Sequence, residues 1–241
     1  MAVKDNKWVQ RLAEELNEMA NACFETPEFR LLYEASLTKA RARFYTGQMY
    51  FFNLNRRDCW GYVQARGPFE VKQAIWQHEE DELFRDPRGG ADHRTLIIKE
   101  AKAVGIVEDL EQIEMTPYVQ AAFFGWLHIA STYPWLGALT ASHMLERQND
   151  DQIIAGGGTS RRWKNKLVEE LNFKPEVLIS SNVHIEAETE HSDLIWGAIS
   201  RYVVDEQSYR TAFEGARDCV KIHRAFRGAL GLGMAALPQS D

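Results

Sequence analysis

A single all-α domain over residues 1–241 is predicted by three observations. Apolar residues recur at helical spacing along most of the chain, and no run alternates apolar and polar residues as a half-buried strand would. Only 16 Gly and 7 Pro are present, too few for a turn-rich β fold. Apolar residues make up 45% and charged residues 26%, the balance of a globular chain long enough to bury its own core. Seven or more helices and no sheet are expected.

The elements follow in order. Trp8, Leu12, Leu16, Met19 and Cys23 mark one face of a first amphipathic helix. Thr26-Pro27 opens a second, expected to run through Leu31, Leu32, Ala35, Leu37 and Ala40. Aromatic residues crowd Phe44 to Trp60. Gly67-Pro68 opens a helix over 69–85, ended by Asp86-Pro87-Arg88-Gly89-Gly90. Asp92 reads as the N-cap of a helix to Val104, closed by Gly105. Helices over about 117–133 and 135–149 come next. Gly156-Gly157-Gly158 is a turn, since it lacks both the lysine spacing and the preceding strand of a phosphate loop. Thr159 or Ser160 is expected to cap a helix to about Leu171. Helices over about 176–203 and 206–230 complete the chain.

Composition excludes several classes. The charge sum is −7 and the pI about 5.6, with no basic run long enough to displace counterions, so nucleic acid is not an expected partner. Cys23, Cys59 and Cys219 lie far apart and form no CxxC, and Met1 to Lys7 lacks the apolar core of a signal peptide. The cytoplasm is the expected compartment. Met115 to Leu145 carries no Asp, Glu, Lys or Arg, but Pro134 and several polar residues interrupt it. Two buried helices are expected there, not a membrane span. His128 and His143 within it read as core histidines.

The chemistry lies in Asn182 to Asp193. His184, Glu188 and His191 form H-x3-E-x2-H, a pattern expected by chance only about 0.03 times with 7 His and 35 acidic residues in 241. Steps of four and seven residues place the three side chains within about 40° on a helix. Two imidazoles and a carboxylate converging over two turns suit one metal ion or part of a pair. Other candidate ligands are His93, Glu146 (the first charged residue after the uncharged stretch) and the acidic cluster Glu79, Glu80, Asp81 and Glu82. Arg147, beside Glu146, is a candidate partner for a substrate carboxylate.

This set resembles the heme-oxygenase-like diiron oxidases and oxygenases, relatives in fold of the TenA and PqqC proteins. Their pattern is a glutamate, a histidine some residues on, a glutamate in a later helix, then H-x3-[DE]-x2-H. Here Glu82, His93, Glu146, His184, Glu188 and His191 match it, within about residues 70–205. Residues 44–60 offer Gln48, Asn53 and Asn55, but no further glutamate. The resemblance implies a heme-oxygenase-like helical bundle and two iron ions on those six residues. It also implies O2-dependent oxidation of a small, amino-acid-derived substrate by N-oxygenation, C–C cleavage or desaturation, and a homodimer.

The rivals differ in residues. Ferritin-like diiron proteins carry two ExxH motifs, and this chain has only Glu188 to His191. True heme oxygenases bind heme through a histidine in the first helix, whereas the first histidine here is His78. A cofactorless PqqC-like oxidase would not need Glu146 with Glu188, and a thiaminase-like enzyme would need a cysteine nucleophile. A non-catalytic metal-binding helical protein is the remaining alternative.

Overall fold

The computed structural model describes residues 6–105 and 110–239. Residues 1–5, part of the stretch read for a signal peptide, lie outside it. Among the described residues there are ten α-helices and no strand, only an isolated bridge between Asp86 and Ala91. No helix among them is long and apolar enough to cross a membrane.

Helix α1 (Lys7–Cys23) is capped by the Asn6 side chain, which accepts from Trp8 N, and buries Leu12 and Leu16 completely. Helix α2 (Pro27–Tyr33) ends well before the expected Ala40. Its continuation is lost because Leu37 gives its N–H to the Glu170 carboxylate and Arg41 takes the Ser36 carbonyl. Thr38 then caps α3 (Lys39–Arg66), a helix of 28 residues that absorbs the aromatic segment.

Helix α4 (Phe69–Glu80) is continued by a π-helical turn, Asp81–Arg85, where one uniform helix was expected. Such i→i+5 turns widen a helix locally and are frequent at functional sites. Asp92 caps α5 (His93–Ala103) through Thr95 N at 2.8 Å, and Gly105 takes the positive φ of 81° that closes it. Helices α6 (Pro117–Thr132) and α7 (Trp135–Arg147) form the uncharged stretch as two helices meeting at Pro134.

Gly158, not Thr159 or Ser160, stands at the N-cap of α8 (Thr159–Leu171). A Cβ at Gly158 would overlap the Asn149 backbone. The Asn149 side-chain oxygen does the capping from outside, accepting from Ser160 N and Thr159 Oγ1 at 2.7 Å each. Pro175 begins a 3-10 turn (Pro175–Val177), so α9 (Ile179–Ser200) starts three residues later than expected. An Asp205–Ser208 capping box opens α10 (Glu206–Ala235), which runs five residues past the expected end.

Two long helices organise the bundle. Helix α10 packs against α7, α2, α6 and α1, while α9 packs against α7, α4, α8 and α5. A Cβ at Gly215 would overlap the Gly137 carbonyl, so α7 and α10 meet backbone to backbone. Helices α3 and α7 join the two groups, and the cavity described next lies between them and α9. Cys23, Cys59 and Cys219 are buried and unpaired, and burial pushes their thiols up to about 12, 11 and 12.

Candidate metal centre

Two groups of possible ligands meet at Glu82. One is His78, Glu82 and His191; the other is Glu82, His93 and His184. Within each group the ligand atoms lie within 4.8 Å of one another. The His78 and His191 rings are 4.6 Å apart and the His93 and His184 rings 4.5 Å apart. Each group holds two imidazoles and one carboxylate, the composition of the facial triad of non-heme Fe(II) oxygenases.

The second layer fixes each ring. His78 donates Nδ1–H to Glu79 Oε1 at 3.0 Å, and His93 donates Nε2–H to Asp86 Oδ2 at 3.0 Å. His191 donates Nε2–H to Asp81 Oδ2 at 3.3 Å, and His184 donates Nδ1–H to the Ser180 carbonyl at 2.8 Å. The opposite nitrogens of His78, His184 and His191 keep a lone pair, while His93 Nδ1 lies 2.8 Å from Glu82 Oε2. His78 Nε2 and His191 Nδ1 are buried with no hydrogen-bond partner, and Glu82 Oε2 is met by Arg57 Nη1 and His93 Nδ1 at 2.8 Å each. Buried polar atoms are seldom left so, and a cation held by His78, Glu82 and His191 would satisfy both nitrogens. Imidazole nitrogen and carboxylate oxygen are a donor set that suits iron.

Local structure delivers these groups. The π turn carries Asp81 and Glu82. Asp86 precedes Pro87, takes the extended backbone this favours, and pairs with Ala91 across a turn in which Gly90 has φ 69°. That turn, read from sequence only as a helix breaker, brings the Asp86 carboxylate under His93.

Electrostatics agree with a cation site. Burial opposes ionisation of Glu82, but Arg57 and His93 outweigh it and hold the carboxyl well below its usual range. Burial likewise opposes charge on His93, yet Glu82 and Asp86 push it up to about 9. Burial, then His93, holds His184 at about 4, and burial, then His78, lowers His191, so both rings are neutral at pH 7. Arg57 Nη1 lies 2.8 Å from both Glu79 and Glu82.

Of the six residues singled out in the sequence, Glu82, His93, His184 and His191 enter the two groups. Glu146 and Glu188 line the same cavity but stand outside them. Glu146 pairs with Arg56 at 3.0 Å and lies 3.8 Å from His78 Nε2. Glu188 accepts from Asn149 Nδ2 at 2.6 Å, and burial, then Glu146, raises its carboxyl well above the usual range. His78 was missed as a ligand. Its signal was available: His78-x3-Glu82 repeats the spacing of His184-x3-Glu188.

Other expectations are corrected. His128 is exposed on α6 beside Tyr133, not in the core, because its face of α6 points outward. His143 is a core histidine, its Nε2–H on the Ser192 carbonyl at 3.1 Å. Arg147 does not face the cavity. It is buried against α1, bonded to Asn17 Oδ1 and lying over the Trp196 ring.

The cavity is about 100 Å³ in volume. Tyr45, Met49, Phe52 and Trp163 form its apolar wall.

A family model described as an iron-containing redox enzyme matches residues 43–224. No curated protein matches the chain. Among solved structures, a CADD-like protein of unknown function from Nostoc punctiforme superposes with a TM-score of 0.70 at 15% identity, covering 93% of this chain and 97% of that one. A domain of unknown function with a heme oxygenase-like fold from Shewanella denitrificans gives 0.70 at 12% identity, covering 92% and 90%. A TenA homologue from P. horikoshii gives 0.57 at 16% identity, covering 92% and 99%. The fold is therefore heme-oxygenase-like.

Proposed function

The chain belongs to the family of iron-containing redox enzymes, and from that premise we propose that it is a non-heme diiron oxidase or oxygenase. It uses O2 to oxidise a small, amino-acid-derived molecule by N-oxygenation, C–C cleavage or desaturation. One observation carries the reading. Four histidines each have one nitrogen tied to a second-layer oxygen and the other turned toward a shared Glu82.

His78 and His191 would hold one iron and His93 and His184 the other, with Glu82 available to both and Glu146 and Glu188 as further oxygen donors at the cavity wall. Two Fe(II) ions bound there supply the electrons that dioxygen accepts. The chain does the rest. Glu79, Asp81, Asp86 and Ser180 keep the rings from rotating, and Arg56 and Arg57 offset the crowded carboxylates. Tyr45, Met49, Phe52 and Trp163 exclude bulk water from the reacting end of the substrate. A thiaminase-like reading is disfavoured, because no cysteine among the described residues lines this cavity and all three thiols stay protonated.

Anaerobic Fe(II) titration should reach two irons per chain. Exposure to oxygen with a panel of amino acids and fatty acids should then give substrate-dependent oxygen consumption. Equal turnover by metal-free protein would replace this reading with a cofactorless one. Homodimerisation belongs to the same proposal, and light scattering at twice 27.7 kDa checks it.

A further inference from the structure

Three arginines reach the cavity, and two have carboxylate partners within the protein. Arg56 pairs with Glu146 at 3.0 Å, and Arg57 with Glu79 and Glu82 at 2.8 Å. Arg227 on α10 is different. It is 2% exposed and lines the cavity, yet no carboxylate among the described residues lies within ion-pair distance. Its Nε–H donates to His223 Nε2 at 2.8 Å, and its Nη1 donates to Tyr45 Oη at 2.9 Å. Both partners are neutral. His223 gives its Nδ1–H to Gln148 Oε1, so Nε2 keeps a lone pair, and burial followed by Arg227 holds the ring well below its ordinary pKa. Tyr45 is stacked on Trp163 with ring centroids 3.6 Å apart, which fixes where its hydroxyl stands.

A guanidinium this deep is costly unless something negative joins it. With Nε and Nη1 engaged, its Nη2 amino group and the Tyr45 hydroxyl hydrogen are the donors left, and two neighbouring donors, one of them charged, suit the two oxygens of a carboxylate. The chain has immobilised the fork with two neutral groups and left the charge unanswered at the wall of a cavity whose other residues include Glu82, His184 and Glu188.

We propose that Arg227 and Tyr45 anchor a carboxylate of the substrate, so that the substrate class is small carboxylic acids. The body of the molecule lies along Met49, Phe52 and Trp163, and the atoms to be oxidised face the histidine cluster. This rests on the redox reading of the same cavity. It also moves the carboxylate-binding role from Arg147, where the sequence suggested it, to Arg227.

The test compares acids with their primary amides, which have the same shape and no charge. Binding of hexanoate and 3-phenylpropanoate against hexanamide and 3-phenylpropanamide is measured by calorimetry, on iron-loaded and on chelator-treated full-length protein. Each acid should bind at least about tenfold more tightly than its amide in both forms, the gap expected for a charge-assisted fork. R227Q should equalise acid and amide, R227K should keep part of the preference, and Y45F should reduce it severalfold. Equal affinities in the wild type overturn the proposal, as does an undiminished preference in R227Q. If R227Q does not fold, an unchanged preference in both R227K and Y45F overturns it instead. Iron content is read on the same samples. Two irons taken up without an acid preference refute the anchor alone, whereas an acid preference in protein that takes up no iron on Fe(II) titration refutes the diiron reading alone.

Discussion

The segments His78–Glu82 and His184–Glu188 share one spacing but are used differently. In α9 the backbone is regular, and the two side chains go to separate neighbours. His184 joins His93 and Glu82, while Glu188 turns to Asn149 and Glu146. In the first segment the α-helix opens into the π turn before Glu82. Glu82 there belongs to the group of its own His78 and to the second group as well. Helix α9 gives one histidine to each group through His184 and His191, and residues 78–93 give the other two. Equal spacing therefore does not mean equal chemistry. The widened turn makes one carboxylate common property, and the regular helix keeps its carboxylate at the margin.

Substitutions in the two segments test whether their roles differ in this way. The largest effect is expected from E82A, which removes the residue both groups share and should abolish binding of both irons. E188Q should lose far less. Colorimetric iron release after gel filtration separates them, and equal emptying by the two variants would show that the segments are equivalent after all. H78A and H93A should each strip one iron and spare the other, giving two distinct half-loaded proteins by Mössbauer spectroscopy. D86N leaves the His93 ring in place but weakens its hold, and should cost about 10–100-fold in affinity for that iron alone. D81N should do the same on the His191 side, as competition with a chelator will report. The smallest effect is on stability. Iron at 100 times its dissociation constant adds about 2.7 kcal/mol, and for a chain of this size each 1 kcal/mol raises the melting temperature by about 2–4 °C. Calorimetry should therefore show a rise of about 5–10 °C for each iron bound, absent in E82A.

Much of this was legible in the sequence, for physical reasons. The 3.6-residue repeat exposes helices because each must bury one face, and the Asp92 cap and Gly105 stop are local hydrogen-bond and φ requirements. H-x3-E-x2-H was legible because all three side chains sit on one regular helix. His78-x3-Glu82 carried the same spacing, but the π turn that makes Glu82 common to both groups is announced by no residue pattern. Asp86 looked like a helix breaker because its partner His93 is reached through the chain reversal, not along a helix face. Helix α2 stopped early because Glu170 and Arg41 claimed the backbone groups a longer helix needed. Arg147 and Arg227 could not be told apart without knowing which face of the bundle each one meets.

The buried cysteines bear on how long such a molecule lasts. Chemistry that brings iron and oxygen together releases stray oxidant, and the first target in most proteins is a thiolate near the surface. With thiols held near 11 and 12, only about one sulfur in ten thousand or fewer is deprotonated at pH 7. None of the three sits where a leaked oxidant would meet it first. If the chain works as proposed, oxidative damage should fall on the aromatic and methionine side chains beside the cavity, Tyr45, Met49, Phe52 and Trp163, before it reaches the three thiols.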